Sequence, residues 1–262
     1  MLDRLLESGF EIRCESHAAA ILRIDFPEAL EELESSLADI RIPIAEIIGS
    51  GGGEAAGTQR LRRSLAGRGW TKTCFEIRKT LNGVERASIS HEIDHVKTFA
   101  NGTLALEIEW NNKDPFFDRD LENFKRLHAE GGISAGIIVT RGSRLQQQLC
   151  SLVRRYAEAR NITDFEALAA VGVSLTPRQR TNISQRLQRS DDPLSAFAEA
   201  WAGQFVADKF GAATTHWDKL MTRVRRGVGN PCPLLLIGIP ETAVDFNDVA
   251  ADDPESADDV PD

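Results

Sequence analysis

The chain is poor in cysteine, lacks long apolar runs, and has no excess of positive charge. Each shortage removes a class of protein. Of 262 residues only four are cysteines (Cys14, Cys74, Cys150 and Cys232). They are scattered and no two share metal-ligand spacing, which argues against a disulfide scaffold and a cysteine zinc site. The expectation is reduced, buried thiols in a cytoplasmic protein. No apolar stretch approaches the ~20 residues that a membrane helix needs. Met1 to Phe10 lacks the basic-then-apolar pattern of a signal peptide.

The net charge of −9 disfavours a polyanion partner at first sight. Its distribution says otherwise. Residues 241–262 hold nine acids and no base, leaving 31 acids against 31 bases in the rest. Residues 1–46 carry a net −7, whereas residues 57–88 and 141–190 carry +6 each. Folding could gather the two basic segments on one face, so nucleic acid remains open as a partner. The plainer alternative is ordinary solvated helix faces.

The apolar pattern predicts an α/β domain over residues 1–240, followed by an acidic, disordered tail over 241–262. Phe10 to Phe26 suits one or two edge strands. Pro27 to Leu37 reads as a helix with Pro at its first position and Leu30, Leu33 and Leu37 on one face. Gly49 to Glu54 lacks the Lys-Ser/Thr ending of a phosphate-binding loop and reads as a linker. Thr58 to Ala66 reads as a basic helix. The period then changes. Lys72–Leu81, Val84–Lys97 and Thr103–Trp110 read as strands with turns at Asn82-Gly83 and Asn101-Gly102. Asp114, as N-cap, and Pro115 open a helix striped by Phe117, Leu121, Phe124 and Leu127, and Gly131-Gly132 ends it. Ile133–Thr140 is apolar enough to be a strand buried on both faces. Residues 146–210 are mostly helical, with one helix over Ser143–Arg160 and another from Asp192-Pro193 carrying Phe197, Trp201 and Phe205. A basic helix over Thr214–Arg226 and a last buried strand from Pro233 complete the domain. The expected architecture is a mixed central sheet flanked by helices, with a helical insertion before the last strand.

The chemistry concentrates in His91-Glu-Ile-Asp-His and Leu104-Ala-Leu-Glu-Ile-Glu-Trp-Asn-Asn-Lys-Asp-Pro. On a strand, Leu104, Leu106, Ile108 and Trp110 face one way, and Ala105, Glu107 and Glu109 the other. With Asp94 on the neighbouring strand, these make three clustered acids, which repel one another. A divalent cation would relieve the repulsion, and Mg²⁺ suits one or two carboxylates plus waters and a phosphate. The alternative is a solvated strand face without a role. His91-Glu92-Ile93-Asp94-His95 also matches the H-E-x-x-H pattern of zinc metallopeptidases. That chemistry needs a helix to bring both imidazoles together. Here the flanking run is strand-like, and Asn101 stands where a third histidine ligand would fall.

An Asp followed after a gap by Glu-x-Glu on a strand resembles the BamHI and BglII branch of the PD-(D/E)XK type II restriction endonucleases. Most of that superfamily has Lys at the last position, and Glu109 fits the Glu/Gln variant. The likeness extends through Trp110-Asn-Asn-Lys-Asp-Pro-Phe-Phe-Asp-Arg-Asp-Leu-Glu-Asn-Phe and Gly136-Ile-Ile-Val-Thr-Arg. It is similar to the BglII/BstYI group again near Thr215-His-Trp-Asp-Lys-Leu and Pro233-Leu-Leu-Leu-Ile-Gly-Ile, and spans most of residues 10–240. The resemblance implies a PD-(D/E)XK nuclease-like fold and hydrolysis of double-stranded DNA at a short palindrome by a homodimer. A DNA methyltransferase sharing the site is also implied. Asp94 and Glu107 would hold Mg²⁺, with the Ile108 carbonyl as a further ligand. Glu109 would orient or deprotonate the attacking water, and Glu92 would be an auxiliary carboxylate.

Candidate DNA contacts are Asn111 and Asn112, which can read adenine, and Lys113 and Arg119 toward phosphates. Arg141 and Ser143 follow a buried strand at its C-terminal end, where α/β sites gather. Lys219, Arg223, Arg225 and Arg226 have no acid nearby in sequence beyond Asp218 and suit backbone contact. The competing functions are a PD-(D/E)XK nuclease of DNA repair and a non-catalytic DNA-binding protein.

Overall fold

Where the apolar period is 2 the chain forms strands, and where it is 3.6 it forms helices. In chain order the elements are α1 (Asp3–Glu7), β1 (Glu11–Glu15), α2 (Ala18–Asp25), α3 (Pro27–Leu37), β2 (Ile42–Pro43), α4 (Ile44–Ile48), α5 (Ala56–Ala66), β3 (Thr71–Leu81), β4 (Val84–Phe99) and β5 (Gly102–Glu109). They continue with α6 (Phe116–Ala129), β6 (Ala135–Arg141), α7 (Ser143–Ala159), α8 (Phe165–Ala170), α9 (Pro177–Leu187), α10 (Pro193–Lys209), α11 (Trp217–Arg225), β7 (Leu234–Ile239), a 3-10 turn (Glu241–Ala243) and β8 (Val244–Asp245). The computed structural model describes residues 1–49, 55–188 and 193–247.

Six strands form one mixed sheet in the order β1-β7-β6-β5-β4-β3, and β2 pairs with β8 in a second, two-stranded ladder. The centre, β7-β6-β5, is parallel, while β1 on one flank and β4 and β3 on the other run antiparallel. Helices cover both faces, and α7–α11 enter before β7, so the expected α/β architecture is present. Every residue of β6 and β7 is buried, as the apolar runs Ala135–Val139 and Leu234–Ile239 require of strands covered on both sides.

Alternation along β5 splits the core in two. Leu104 and Leu106 pack with Ile137, Val139, Leu235 and Ile237 against the N-terminal helices, α7 and α10. Ala105 packs on the other face with Ile138, Leu234 and Leu236, beneath α6 and α11. The α6 stripe of Phe117, Leu121, Phe124 and Leu127 is buried there as predicted. Gly136 lets α6 lie this close, since a Cβ on it would stand 2.3 Å from Phe124 Cδ2. Gly136→Ala should therefore push Phe124 and α6 outward and cost about 1–3 kcal/mol of stability, read from the midpoint of urea unfolding.

The β3–β4 hairpin turns at Asn82 and Gly83, both with positive φ (51° and 74°), the geometry that favours Asn-Gly. Several sequence expectations need correction. Phe10–Phe26 gives one strand and then a helix: Ser16 and His17 take positive φ and end β1, and three consecutive alanines start α2. The N-cap of α6 is Pro115, not Asp114. The chain remains ordered past Glu241, because Ala243 is buried, Val244 pairs with Ile42 and Glu241 lies 2.9 Å from Arg144. The rest of the predicted tail, from residue 248, and the linker from residue 50 lie outside the described residues, as does Asp192. All four cysteines are free, but only Cys232 is buried, and Cys74 on the edge strand β3 is exposed. Among the described residues no helix is long and apolar enough to cross a membrane.

Candidate active site

The site opens where β4 parts from β5. Their ladder runs from Phe99↔Gly102 to His95↔Leu106 and stops, while β5 continues to Glu109 beside β6. A bulge in β4 accompanies the parting. Val96 pairs with Thr71 and Ile93 with Thr73, so β4 spends three steps where β3 spends two. The extra residue falls at Asp94-His95, and such bulges re-aim side chains beside sites. Carbonyls alternate between the two edges of a strand. Leu106 O is directed to the β4 side, where it lies 3.3 Å from His95 Nδ1, and Glu109 O to the β6 side, where it accepts from Thr140 Oγ1 at 2.7 Å. The Ile108 carbonyl is therefore directed to the β4 edge, past the end of the ladder.

Four carboxylates meet there. Glu107 and Glu109 share the α6 face of β5, as alternation predicts, and are 4% and 2% exposed. Asp120 reaches them from α6 and is fully buried, whereas Asp94 is exposed. Burial, then the neighbouring Asp120, Asp94 and Glu109 charges, push the Glu107 carboxyl up to about 9. Burial also raises Glu109 and Asp120, and the neighbouring Asp120 charge raises Glu109 further. Asn112 Nδ2 donates to Glu109 Oε2 at 2.8 Å. Arg119 Nε donates to Asp120 Oδ1 at 2.8 Å, and its Nη2 lies 3.6 Å from Glu109 Oε1.

This donor set fits a hard divalent cation. The acids are hard oxygen ligands, they hold protons they would not hold in water, and buried Asp120 Oδ2 has no hydrogen-bond partner. Among the described residues no three His, Cys, Asp or Glu side chains are grouped so that together they could hold a metal ion. A cation here would rest on two carboxylates and a carbonyl, with waters and substrate completing its shell, as Mg²⁺ prefers.

The other predicted residues divide into two groups. Asn112 and Lys113 are exposed at the mouth, and the Arg119 side chain is 53% exposed. Arg141 is not offered to DNA in this conformation. It is fully buried, with Nη1 donating to Asn111 Oδ1 (2.7 Å) and Nη2 to Thr214 Oγ1 and Thr215 O (2.8 Å each). Asn111 spends its amide on Lys209 O at 3.0 Å, and Ser143 donates both its N–H and its hydroxyl to Glu11. Lys219 and Arg223 do have acids nearby, contrary to the sequence reading: Asp114 lies 3.4 and 3.2 Å from them, and Asp118 accepts from Arg223 at 2.8 Å. Glu92 is exposed and pairs with Lys72 at 2.7 Å.

Arg141 thus ties the loop after β5 to the α10–α11 connection, which also pairs through Asn112 O accepting from Thr215 N at 2.8 Å. Arg141→Ala should cost about 3 kcal/mol in urea unfolding, since several hydrogen bonds to a buried charge are lost. It should also disturb the Asn112–Glu109 contact.

The sequence reading missed Asp120. Its signal was present: Asp120 stands three residues after Phe117, on the apolar stripe of α6, where a charge has no ordinary reason to be. The H-E-x-x-H segment lies on β4 rather than a helix, with His91 and His95 buried and Glu92 and Asp94 exposed, so the helical zinc geometry does not form.

A cleft of about 840 Å³ has Asp94, Ile108, Trp110, Asn111, Asn112 and Lys209 in its wall, whereas Glu107, Glu109 and Asp120 do not line it. No curated protein matches the chain. Residues 10–239 match the family described as restriction endonuclease BglII/BglIII, a span that includes the whole six-stranded sheet, α6 and the helical insertion. The chain belongs to the BglII/BglIII family of restriction endonucleases.

Proposed function

We propose that the protein is a Mg²⁺-dependent type II restriction endonuclease, cutting double-stranded DNA at a short palindrome as a cytoplasmic homodimer. The observation that carries the reading is the buried Glu107–Glu109–Asp120 cluster facing Asp94, with an Asp120 oxygen left unpartnered. Asp94, Glu107 and the Ile108 carbonyl would hold the cation. Bound there, Mg²⁺ would polarise the phosphoryl group and lower the pKa of the attacking water.

The chain's own residues account for the rest. Asn112 fixes one oxygen of Glu109 and leaves the carboxylate aimed at the site. Glu109 accepts a proton from the water as its oxygen bonds to phosphorus. The ester P–O bond breaks with its electron pair on the leaving oxygen, which takes a proton from solvent. Asn112 and Lys113, exposed at the mouth, suit base and phosphate contact.

One carboxylate cluster per chain cuts one strand at a time, so two chains related by a two-fold axis suit a palindrome. A host carrying such an enzyme needs a methyltransferase acting on the same site. Plasmid digestion tests the reading. Discrete fragments with one common end sequence are expected. Smears or structure-selective cuts would point to a repair nuclease, and retardation without cutting to a binding protein. Analytical ultracentrifugation with the mapped duplex should give two chains per site. One chain per duplex with both strands cut together would contradict the dimer.

A further inference from the structure

Arg119 reaches the acid cluster, with its Nη2 3.6 Å from Glu109 Oε1. Its Nε and Nη2 both lie 2.8 Å from the same oxygen, Asp120 Oδ1. Its guanidinium carbon stands 4.3 Å from the centre of the Phe116 ring. Nη1 has no partner among the described residues, and half of the side chain faces solvent.

Arg–carboxylate pairs frequently close fork to fork on both oxygens. This one does not: two N–H groups crowd Oδ1, and Oδ2 is left buried and unpartnered. The arrangement holds the Nε–Nη2 edge of the guanidinium against Asp120 and Glu109 and leaves Nη1 without a partner among the described residues. Phe116 and Asp120 fix the plane in advance, so little rotamer freedom remains to be lost when a further anion arrives.

We propose that Arg119 is a catalytic residue, whose Nη1 contacts the scissile phosphate and stabilises the charge gained by its non-bridging oxygens in the transition state. Asp120 is its positioning residue. The inference rests on the nuclease reading above and deepens it. Arg119 exchanges no proton: the water proton goes to Glu109 and the leaving oxygen is protonated by solvent. Its contribution is electrostatic and preorganised, the kind worth ~10²–10³ in rate when one donor is removed. An ordinary backbone contact would instead act on affinity and its salt dependence.

The test is single-turnover cleavage of the duplex mapped from wild-type plasmid fragments, with protein in excess, beside gel-shift affinity for the same duplex in Ca²⁺. Arg119→Ala should lose ~10²–10³ in rate, with affinity changed only a few-fold. Guanidinium chloride at non-denaturing concentration should restore part of the rate. Arg119→Lys, which keeps the charge and the fold, should fall between wild type and Arg119→Ala. Folded Arg119→Ala that cuts within a few-fold of wild type overturns the proposal. So does parallel loss of rate and affinity without guanidinium rescue. If wild-type protein itself cuts no DNA, the nuclease reading falls and this proposal falls with it, whereas a cutting wild type with unimpaired Arg119→Ala removes the proposal alone.

Discussion

Glu107→Ala and Asp94→Ala should each lower DNA cleavage by ~10³-fold or more, while DNA binding survives. The magnitude follows from the role assigned to them. A divalent cation at a phosphoryl centre supplies several kcal/mol of transition-state stabilisation, and each 1.36 kcal/mol is about tenfold in rate. Glu107 is fixed on β5 and Asp94 on the bulge of β4. Binding should persist or tighten, because each change removes a negative charge beside the DNA backbone. Glu109→Gln should be mild if the residue only orients water, and as severe as Glu109→Ala if it must take a proton. Glu109→Lys should be strongly impaired, since it sets a cation against Arg119. The measurement is single-turnover cleavage with gel-shift affinity, and circular dichroism to confirm folding. Near-normal cutting by folded Asp94→Ala or Glu107→Ala protein would remove the site assignment.

Metal-free protein should lose stability steadily as pH rises from about 5 to 9, and Glu107→Gln should lose much less. Folding raises the Glu107 carboxyl from its ordinary 4.5 to about 9, chiefly by burial. Between those values the native state binds more protons than the unfolded chain, so the sign of the linkage is negative with increasing pH. The stabilising contribution is complete below pH 4.5 and lost as pH climbs through 9. Its full size is on the order of several kcal/mol. Glutamine is neutral at every pH and abolishes this part of the slope. Glu109 and Asp120, raised in the same direction, leave a smaller residual slope. Mg²⁺ takes the place of the protons, so it should raise the melting temperature more at pH 8.5 than at pH 5.5. Thermal unfolding of both proteins across this range, with and without Mg²⁺, gives the comparison. A flat wild-type profile would mean that Glu107 is not held protonated by its surroundings.

Local signals carried most of the central sheet. The Asn82-Gly83 turn, the apolar runs of β6 and β7, and the α6 stripe each state their own structure, because the pattern and the burial agree. The face shared by Glu107 and Glu109 was legible for the same reason. What was not legible came from tertiary pairing. The β4 bulge depends on register with β3, which no single strand encodes. Arg141 looked like an exposed contact because nothing in the sequence places Asn111, Thr214 and Thr215 around it. Arg223 looked unpaired because Asp118 reaches it from α6 and Asp114 from the turn before α6, about a hundred residues earlier in the chain. The tail boundary was set too early, because the partner of Val244 is the two-residue strand at Ile42, too short to show a period.

Calorimetric titration of Mg²⁺ into the protein bound to an uncleavable duplex, in two buffers of different ionisation enthalpy, tests the central claim most directly. The cluster holds protons that a cation must expel, so binding should release protons and its heat should depend on the buffer. The buffer-dependent part should shrink in Glu107→Gln, and binding should weaken sharply in Asp94→Asn. Absence of Mg²⁺ binding, or binding with buffer-independent heat that persists unchanged in both variants, would contradict the assignment of Asp94 and Glu107 as the cation site.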